Sequence, residues 1–317
     1  MITLEFVYAL MGVMMAGVAI VNLRDSASKK RYNNAAFWGM YAVTFIAGSR
    51  LPSFVNGLLV IGMVLIAAIG KLGGAPPERT TRADREASAA KWGNRLFIPA
   101  LTIPAVTLLG TLTLKNMHVN GVPLIDGKQV TLISLGFSTI AALAIGMAML
   151  RPPARAPIIE ARRLMDAVSW AAVLPQMLAA LGAMLALAGV GPIVAGILER
   201  WIPLDTAFVV VVTYTVGMAL FTSIMGNAFA AFPVMTAGIG LPLIVHRFGG
   251  DVVIMAAVGM LSGFCGTLVT PMAANFNIVP TALLELPDQN AVIKVQIPTA
   301  LMLLAANTAI MYLFVFR

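Results

Sequence analysis

Two polar stretches interrupt the apolar C-terminal part of the chain, and they hold the side chains best suited to bind a small anion. Their amide and hydroxyl groups can donate hydrogen bonds without a formal charge, and an asparagine at membrane depth must be satisfied by some partner. Together the two stretches supply as candidate binding residues Ser223, Gly226, Asn227, Thr267, Thr270, Pro271, Asn275 and Asn277.

The second stretch centres on Pro271, which has no backbone N–H and clashes with the preceding helical turn. Val269 and Thr270 are therefore expected in extended geometry. We predict that the helix resumes at about Met272 or Ala273, which would point a helix N-terminus into the membrane interior. Such an end has free N–H groups and a partial positive charge, so it binds anions without a cationic side chain.

The first stretch lies inside residues 206–245, which carry no charge. No polar turn divides them into two crossings, so a helical hairpin that enters and leaves by the same membrane face fits their length. Gly226 frees the backbone to unwind, which places the hairpin tip at Gly226–Asn227. The alternative is a single crossing over residues 206–237, which the distribution of basic residues slightly favours.

Both stretches also have a simpler explanation, because Gly, Ser, Thr and Asn join helices at close approach without binding a ligand. However, irregular backbone at membrane depth is tolerated only where it is buried in protein or lines a cavity. Paired interrupted helices near the membrane midplane are typical of the substrate sites of secondary transporters. The sequence therefore favours a binding site built from both breaks over simple helix contacts.

The elements that must position these residues are membrane helices. The chain has 317 residues, of which 60% are hydrophobic and 11% charged, whereas soluble domains have about 25% charged residues. The net charge is +8, and the basic residues lie in short stretches between apolar runs. Cytoplasmic loops beside anionic lipid have this distribution. This distribution favours a lipid bilayer over nucleic acid as a partner.

Six apolar segments of roughly 20 residues precede the interrupted region, and one follows it. The predicted spans are residues 4–23, 34–49, 54–72, 96–114, 130–150, 166–188 and 297–316. Residues 190–203 are too short and too polar to span, so they predict an interfacial helix. In the loops, Asn120–Gly121 and Asp126–Gly127 predict a small hairpin. The polar linker of residues 73–95 is expected to be a solvated connector, and the alternative is a short surface helix over residues 82–90.

Lysine and arginine are abundant after the first, third and fifth spans and sparse after the second and fourth. By the positive-inside rule the rich loops are cytoplasmic, so the N-terminus is predicted outside. The first segment lacks a basic start and a small-residue cleavage site, so we expect a retained span of an inner-membrane protein. Glu5 and Asp166 lie at span ends, where we expect interfacial side chains.

Residue types that would support an enzyme or a metal site are scarce. The single cysteine, Cys265, lies in an apolar stretch, and the two histidines, His118 and His246, are far apart. The sequence contains neither an HExxH motif nor a pair of catalytic aspartates at membrane depth. We therefore expect no enzyme activity, no metal and no cofactor, which leaves Na+ or H+ as the coupling ion of a carrier.

Residues 190–285 resemble the C-terminal half of the ion-transporter superfamily, which includes citrate, dicarboxylate and arsenite carriers. That family has an asparagine motif at the tip of a re-entrant hairpin, and Gly226-Asn227-Ala228 matches it without the flanking hydroxyls. A second family motif, in the unwound part of the next helix, is similar to Thr270-Pro271-Met272-Ala273-Ala274-Asn275. The resemblance implies that both motifs line a substrate or ion site.

The whole chain also resembles the larger subunit of two-component 5-oxoproline (pyroglutamate) permeases. This resemblance implies 5-oxoproline as the substrate, with its carboxylate on backbone amides and on Asn227, Thr270 and Asn275. It also implies a smaller membrane subunit as partner, which would supply the missing half of the site.

The sequence thus predicts an all-α, polytopic membrane protein with about eight spanning helices, a re-entrant hairpin over residues 206–245 and a discontinuous helix over residues 251–285. Residues 1–165 would form a scaffold-like part, and residues 166–317 a transport-type half. The expected function is that of a secondary transporter subunit for a small organic anion. The alternative is a non-transporting scaffold or assembly subunit of a heteromeric permease.

Overall fold

The computed structural model describes residues 1–70, 72–73, 81–119, 121–274, 276–284 and 286–317. Within these residues the chain is almost entirely helical, and seven helices are long and apolar enough to cross a membrane. Two shorter apolar helices, Ser53–Ile69 and Val252–Leu268, accompany them. These features confirm the predicted all-α, polytopic membrane fold.

The chain divides into two compact units, unit 1 (Met1–Asp166) and unit 2 (Ala167–Arg317). The predicted boundary lies one residue before this division, and the roles that we assigned to the two halves stay predictions.

Unit 1 consists of helices and one short β-ribbon. Its helices are α1 (Leu4–Arg24), α2 (Arg31–Ala47), α3 (Ser53–Gly70), α4 (Arg82–Trp92), α5 (Phe97–Thr113), α6 (Val130–Leu150) and α7 (Ala156–Val168), which ends just past the division. Its strands, β1 (His118–Val119) and β2 (Val122–Pro123), pair antiparallel and confirm the predicted small hairpin.

The alternative for the polar linker, a short surface helix, is present as α4. The Thr81 hydroxyl accepts a hydrogen bond from the Asp84 backbone N–H, and the Asp84 carboxylate accepts one from the Thr81 N–H, each at 3.2 Å. This reciprocal capping box satisfies free N–H groups in the first helical turn. Residues 74–80 of the predicted linker lie outside the described part of the chain.

Two antiparallel helix pairs in unit 1, α1 with α2 and α5 with α6, pack through small residues. A Cβ atom on Gly12 would lie 2.3 Å from the Ile46 side chain, and one on Gly110 would lie 2.6 Å from Ser134 Oγ. A larger residue at either position would collide with a side chain of the partner helix unless that side chain moved. Contacts between small residues are a common means of helix association in lipid, where apolar burial supplies little driving force.

A buried polar cluster joins the ends of α1, α2 and α7. Arg162 of α7 is 5% exposed, and its guanidinium donates to Asp25 Oδ2 at 2.5 Å and to Asn22 Oδ1 at 3.1 Å. Arg162 also pairs with Asp166 Oδ2 at 3.3 Å, and Trp38 Nε1 donates to Asp166 Oδ1 at 3.1 Å. The carboxylate of Asp166 is therefore bound by protein groups, and its expected position at the membrane interface stays a prediction.

The same cluster extends through Asn34 of α2 to the segment that follows α3. Asn34 Nδ2 donates to Asn22 Oδ1, and Asn34 Oδ1 accepts from the Gly73 N–H, both at 3.2 Å. Lys30 Nζ donates to the carbonyl of Leu72, also at 3.2 Å. Side chains at the start of α2 thus hold the chain where it leaves α3.

The Asp25 carboxyl at the end of α1 contributes to stability in a pH-dependent way. Its hydrogen bond from Arg162 holds the pKa of Asp25 below the usual value of an aspartate. Since the folded pKa is lower than the unfolded one, this stabilisation is present at neutral pH and is lost as the pH falls through the folded pKa.

Unit 2 contains the hairpin and the interrupted helix. Its helices are α8 (Leu174–Leu187), α9 (Val190–Trp201), α10 (Ala207–Met225), α11 (Ala228–Met235), α12 (Val252–Leu268), α13 (Ile278–Leu283) and α14 (Ala291–Phe314). A π-helical segment, Thr236–Arg247, continues α11. The predicted short helix over residues 190–203 is present as α9, and it lies against the π-helical segment, because a Cβ on Gly191 would be 3.0 Å from the Gly238 nitrogen.

The core of unit 2 is centred on Tyr214 of α10, which is fully buried. A Cβ atom on Gly259 of α12 would lie 2.5 Å from the Tyr214 hydroxyl oxygen, and one on Gly240 would lie 3.1 Å from its ring. The two glycines therefore allow α12 and the π-helical segment to close on α10. The Tyr214 hydroxyl is satisfied by Thr236 Oγ1 at 3.2 Å.

Replacing Arg162 with methionine is expected to destabilise the folded protein by about 1–3 kcal/mol, because it removes the donor of the partly buried carboxylates of Asp25 and Asp166. Thermal and chemical unfolding of the detergent-solubilised chain measures this loss. Arg163→Met is the matched control, since Arg163 pairs with Glu160 at a more exposed position and such pairs contribute about 0–1 kcal/mol. Equal losses for the two variants would show that the buried cluster does not hold unit 1 together.

Candidate functional site

Residues 206–245 form two helical arms joined at the predicted tip, so the single crossing is wrong, whereas the re-entrant form of the hairpin stays a prediction. The arms run antiparallel, because Tyr214 contacts Thr236 and a Cβ on Gly217 would lie 2.5 Å from the Met235 side chain. At the open end, Arg247 donates to the Leu204 carbonyl at 3.1 Å. Each arm is 19 or 20 residues long, which is enough for a full crossing.

The tip of the hairpin is formed by Gly226 and Asn227. Gly226 has a φ of +75° and ends α10, with its N–H donating to the Thr222 carbonyl at 2.7 Å. Asn227 begins α11, and its Oδ1 accepts from the Phe229 N–H at 2.7 Å. The sequence turns here because glycine adopts the left-handed conformation freely and asparagine is a preferred N-cap.

The second break follows α12, but the helix does not resume at Met272 or Ala273 as predicted. The chain passes through turns, and the short helix α13 begins only at Ile278. Asn277 provides the physical reason, because its Nδ2 donates to the carbonyls of Thr267 at 2.8 Å and Thr270 at 2.6 Å. It therefore satisfies free carbonyls at the end of α12 and holds the chain in a turn. The anion-binding helix end predicted after Pro271 is not formed.

The two breaks meet. A Cβ on Gly226 would lie 2.6 Å from the Met272 carbonyl oxygen, so the hairpin tip rests directly on the turn after α12. One turn earlier, Ser223 Oγ bonds the Gly266 carbonyl at 3.1 Å. A Cβ on Gly266 would lie 2.1 Å from the carbonyl oxygen of Ala219. The last two turns of α10 and α12 are thus in backbone contact just below the tip.

Most of the predicted hydroxyl and amide groups already bind the protein itself. Thr267 Oγ1 donates to the Phe264 carbonyl at 2.6 Å, and Thr270 Oγ1 accepts from the Met272 N–H at 3.2 Å. Pro271 is exposed. Asn275 lies outside the described residues. The structure therefore brings together Gly226, Asn227 and the turn after Thr270, but the Thr267 hydroxyl is used within its own helix.

Two buried acceptors near the breaks have no hydrogen-bond partner among the described residues. They are Asn277 Oδ1 and Thr222 Oγ1, both in side chains that are fully buried. Thr222 was not predicted as a site residue. Its position in the sequence could have indicated it, since Thr222 lies one helical turn before Gly226. A Cβ on Gly263 would lie 3.3 Å from Thr222 Oγ1, so this hydroxyl lies between α10 and α12. Buried polar atoms of this kind are rare, and each needs a donor.

The helix end that can attract an anion is the N-terminus of α11. This helix continues through the π-helical segment to Arg247, so its backbone dipoles add over about five turns, and its first residues lie at the hairpin tip. The groups at the tip are amides, hydroxyls and backbone N–H groups, with no ionisable side chain among residues 222–229 or 266–272. Such a site can bind a small monoanion by hydrogen bonds.

Gly226→Ala is expected to lower the melting temperature of the purified chain well beyond the effect of Gly249→Ala. Both glycines have a left-handed backbone conformation, with φ of +75° and +70°. Alanine at either position therefore lowers the free energy of unfolding by roughly 1 kcal/mol. Only at Gly226 does the new Cβ meet a backbone atom, the Met272 oxygen, whereas nothing lies within 4 Å at Gly249. Equal shifts in the two variants would mean that the tip does not rest on the turn.

One comparison with known proteins gives a match. A family described as proteins of unknown function, DUF979, matches residues 5–316. Searches among curated proteins and among solved structures gave no match. Because the matched residues cover nearly the whole chain, the chain belongs to the DUF979 family.

Proposed function

We propose that this membrane protein is a subunit of a secondary transporter for a small organic anion, and that the substrate is 5-oxoproline. The observation that carries the proposal is the contact of the hairpin tip at Gly226 with the turn at Met272. Two interrupted helices that meet in an apolar unit are the usual form of a transporter site.

The chemistry of 5-oxoproline suits the groups at the tip. Its single carboxylate needs N–H or O–H donors, and the N-terminus of α11 with Asn227 offers them without a cation. Its lactam N–H needs an acceptor, and the buried Oδ1 of Asn277 accepts no hydrogen bond from the described residues. A monoanion of this size therefore suits the uncharged polar groups at the hairpin tip.

A smaller membrane subunit is proposed to complete the site. The turn after α12 lies at the surface of the chain, where Pro271 is exposed and Met272 and Phe276 are 61% and 45% exposed. A substrate bound at the tip would therefore be open on one side. In the proposed assembly the partner closes that side, the N-terminus lies outside an inner membrane, and Na+ or H+ drives uptake.

A non-transporting scaffold subunit is the second candidate, and one observation favours it. Ser223, Asn227 and Thr270 each use a side-chain oxygen in a hydrogen bond within the chain. Those bonds could serve only to hold the two breaks in place. A scaffold has no need of an Asn277 Oδ1 that lacks a donor among the described residues, however, and this atom favours the carrier.

Substitutions at Asn227 separate the two candidates. Asn227→Asp keeps the N-cap, because aspartate caps as well as asparagine, but it places a negative charge where the carboxylate would bind. Uptake of labelled 5-oxoproline by cells that express both subunits is expected to fall at least ~10-fold, which corresponds to about 1.4 kcal/mol. Asn227→Ser is the control, since serine caps the helix without a charge, and it should keep most of the uptake.

Melting temperatures of both variants should stay near that of the wild type, because the cap is retained in each. Wild-type uptake by Asn227→Asp would remove the hairpin tip from the substrate site. A scaffold would show no 5-oxoproline-dependent increase in melting temperature, either alone or with its partner. Repeating the uptake with an imposed Na+ gradient and then with an H+ gradient identifies the coupling ion.

A further inference from the structure

A cleft in unit 1 lies at one end of the α5–α6 pair. These helices are antiparallel, since a Cβ on Gly146 would lie 3.9 Å from Pro99 and Thr107 Oγ1 bonds Ser138 Oγ at 3.0 Å. The start of α5 and the end of α6 therefore share one end of the pair, where α4 also terminates. The cleft encloses about 380 Å³ and is lined by Lys91, Trp92, Ala148, Met149, Leu150 and Arg151.

The lining combines positive charge with apolar surface. Among the described residues that line it, Lys91 and Arg151 are charged and none carries a carboxylate. Lys91 Nζ lies 5.3 Å from the centre of the Trp92 ring, and tryptophan is typical of the boundary between membrane and water. An anion with an attached apolar group fits such a lining better than a purely polar ion does.

Arg151 has an unusual backbone conformation that supports a role for its side chain. It ends α6 with φ 48° and ψ 46°, in the left-handed region, and its N–H donates to the Met147 carbonyl at 2.9 Å. Glycine or asparagine normally occupies this position, because other residues are strained there. Strain of this kind persists where a side chain is needed. The structure keeps an arginine at the mouth of the cleft despite the cost to the backbone.

Apolar side chains continue from the cleft along both helices towards the middle of the membrane. Phe97 and Leu101 of α5 are 61% and 63% exposed, and Leu143 and Leu150 of α6 are 53% and 43% exposed. Because the helices are antiparallel, these four side chains lie within the outer two turns of the same end of the pair. They provide a surface on which acyl chains can lie below a bound headgroup.

We propose that this cleft binds the headgroup of an anionic phospholipid, with the phosphodiester between Lys91 and Arg151 and the acyl chains against α5 and α6. A basic pocket beside membrane helices is a recognised site for acidic headgroups. The apolar surface below it selects a lipid over free phosphate, although both share the same anionic chemistry.

The test uses the full chain in a neutral detergent and compares phosphatidylglycerol, phosphatidylcholine and inorganic phosphate as added ligands. A ligand that binds only the folded protein raises its melting temperature. We expect phosphatidylglycerol to raise it, whereas the other two ligands leave it nearly unchanged. Lys91→Gln with Arg151→Gly should lose more than half of that increase.

Two features of the variants keep the result clear. Arg151→Gly relieves the left-handed strain, so the melting temperature without lipid should equal or exceed that of the wild type while the lipid effect falls. Lys115→Gln with Lys128→Gln is the control, because both lysines are exposed at the other end of the α5–α6 pair and the charge removed is the same. This control should keep the full increase.

A full increase in the Lys91 and Arg151 variant would overturn the proposal, as would an equal loss in the control. An equal increase with inorganic phosphate would identify a site for free anions, and one with phosphatidylcholine would identify unspecific lipid binding. If the double variant does not fold, Lys91→Gln alone should lose part of the increase, and a full increase there is equally contradictory.

Discussion

The contact between Gly226 and the Met272 carbonyl is the constraint on which unit 2 depends. No side chain fits between these backbones, so the hairpin tip can reach the turn after α12 only with glycine at this position. The same principle applies further from the tip, where Gly266 faces Ala219 and a Cβ on Gly182 would lie 2.6 Å from the Ala230 backbone. Close backbone approach replaces apolar burial as the source of specific packing, as expected for helices in lipid.

Unit 1 is held by a different interaction. Its α5–α6 pair also uses small residues, but α1, α2 and α7 are joined by the hydrogen bonds of Arg162, Asn22 and Asp166. A charge in such a setting is stable only when it is paired and hydrogen-bonded on all sides. The cluster thus fixes the arrangement of three helix ends in unit 1, whereas the glycine contacts fix the helix packing of unit 2.

Much of this architecture could be predicted from the sequence because membrane helices leave a strong local signal. The turn at Gly226–Asn227 followed from its place near the centre of an uncharged length and is confirmed, whereas the re-entrant form of the hairpin is not, because each arm is long enough to cross a membrane. The resumption of helix after Pro271 was wrong, because Asn277 caps α12 from ten residues away and the proline rule describes only its neighbours. The cluster around Arg162 was missed because its members lie up to 144 positions apart, and no spacing rule joins them.

The candidate site was likewise predicted only in part. Its residues were found from composition and local breaks, whereas their roles depend on contacts that only the fold defines, as with Thr267, whose hydroxyl bonds its own helix.

The most direct test of the central claim is a density map of the chain with its smaller subunit and 5-oxoproline. The account predicts density for the substrate beside the Gly226–Asn227 tip, at the N-terminus of α11, with the tip still in contact with the turn at Met272. Substrate density elsewhere, or a tip separated from that turn, would contradict it.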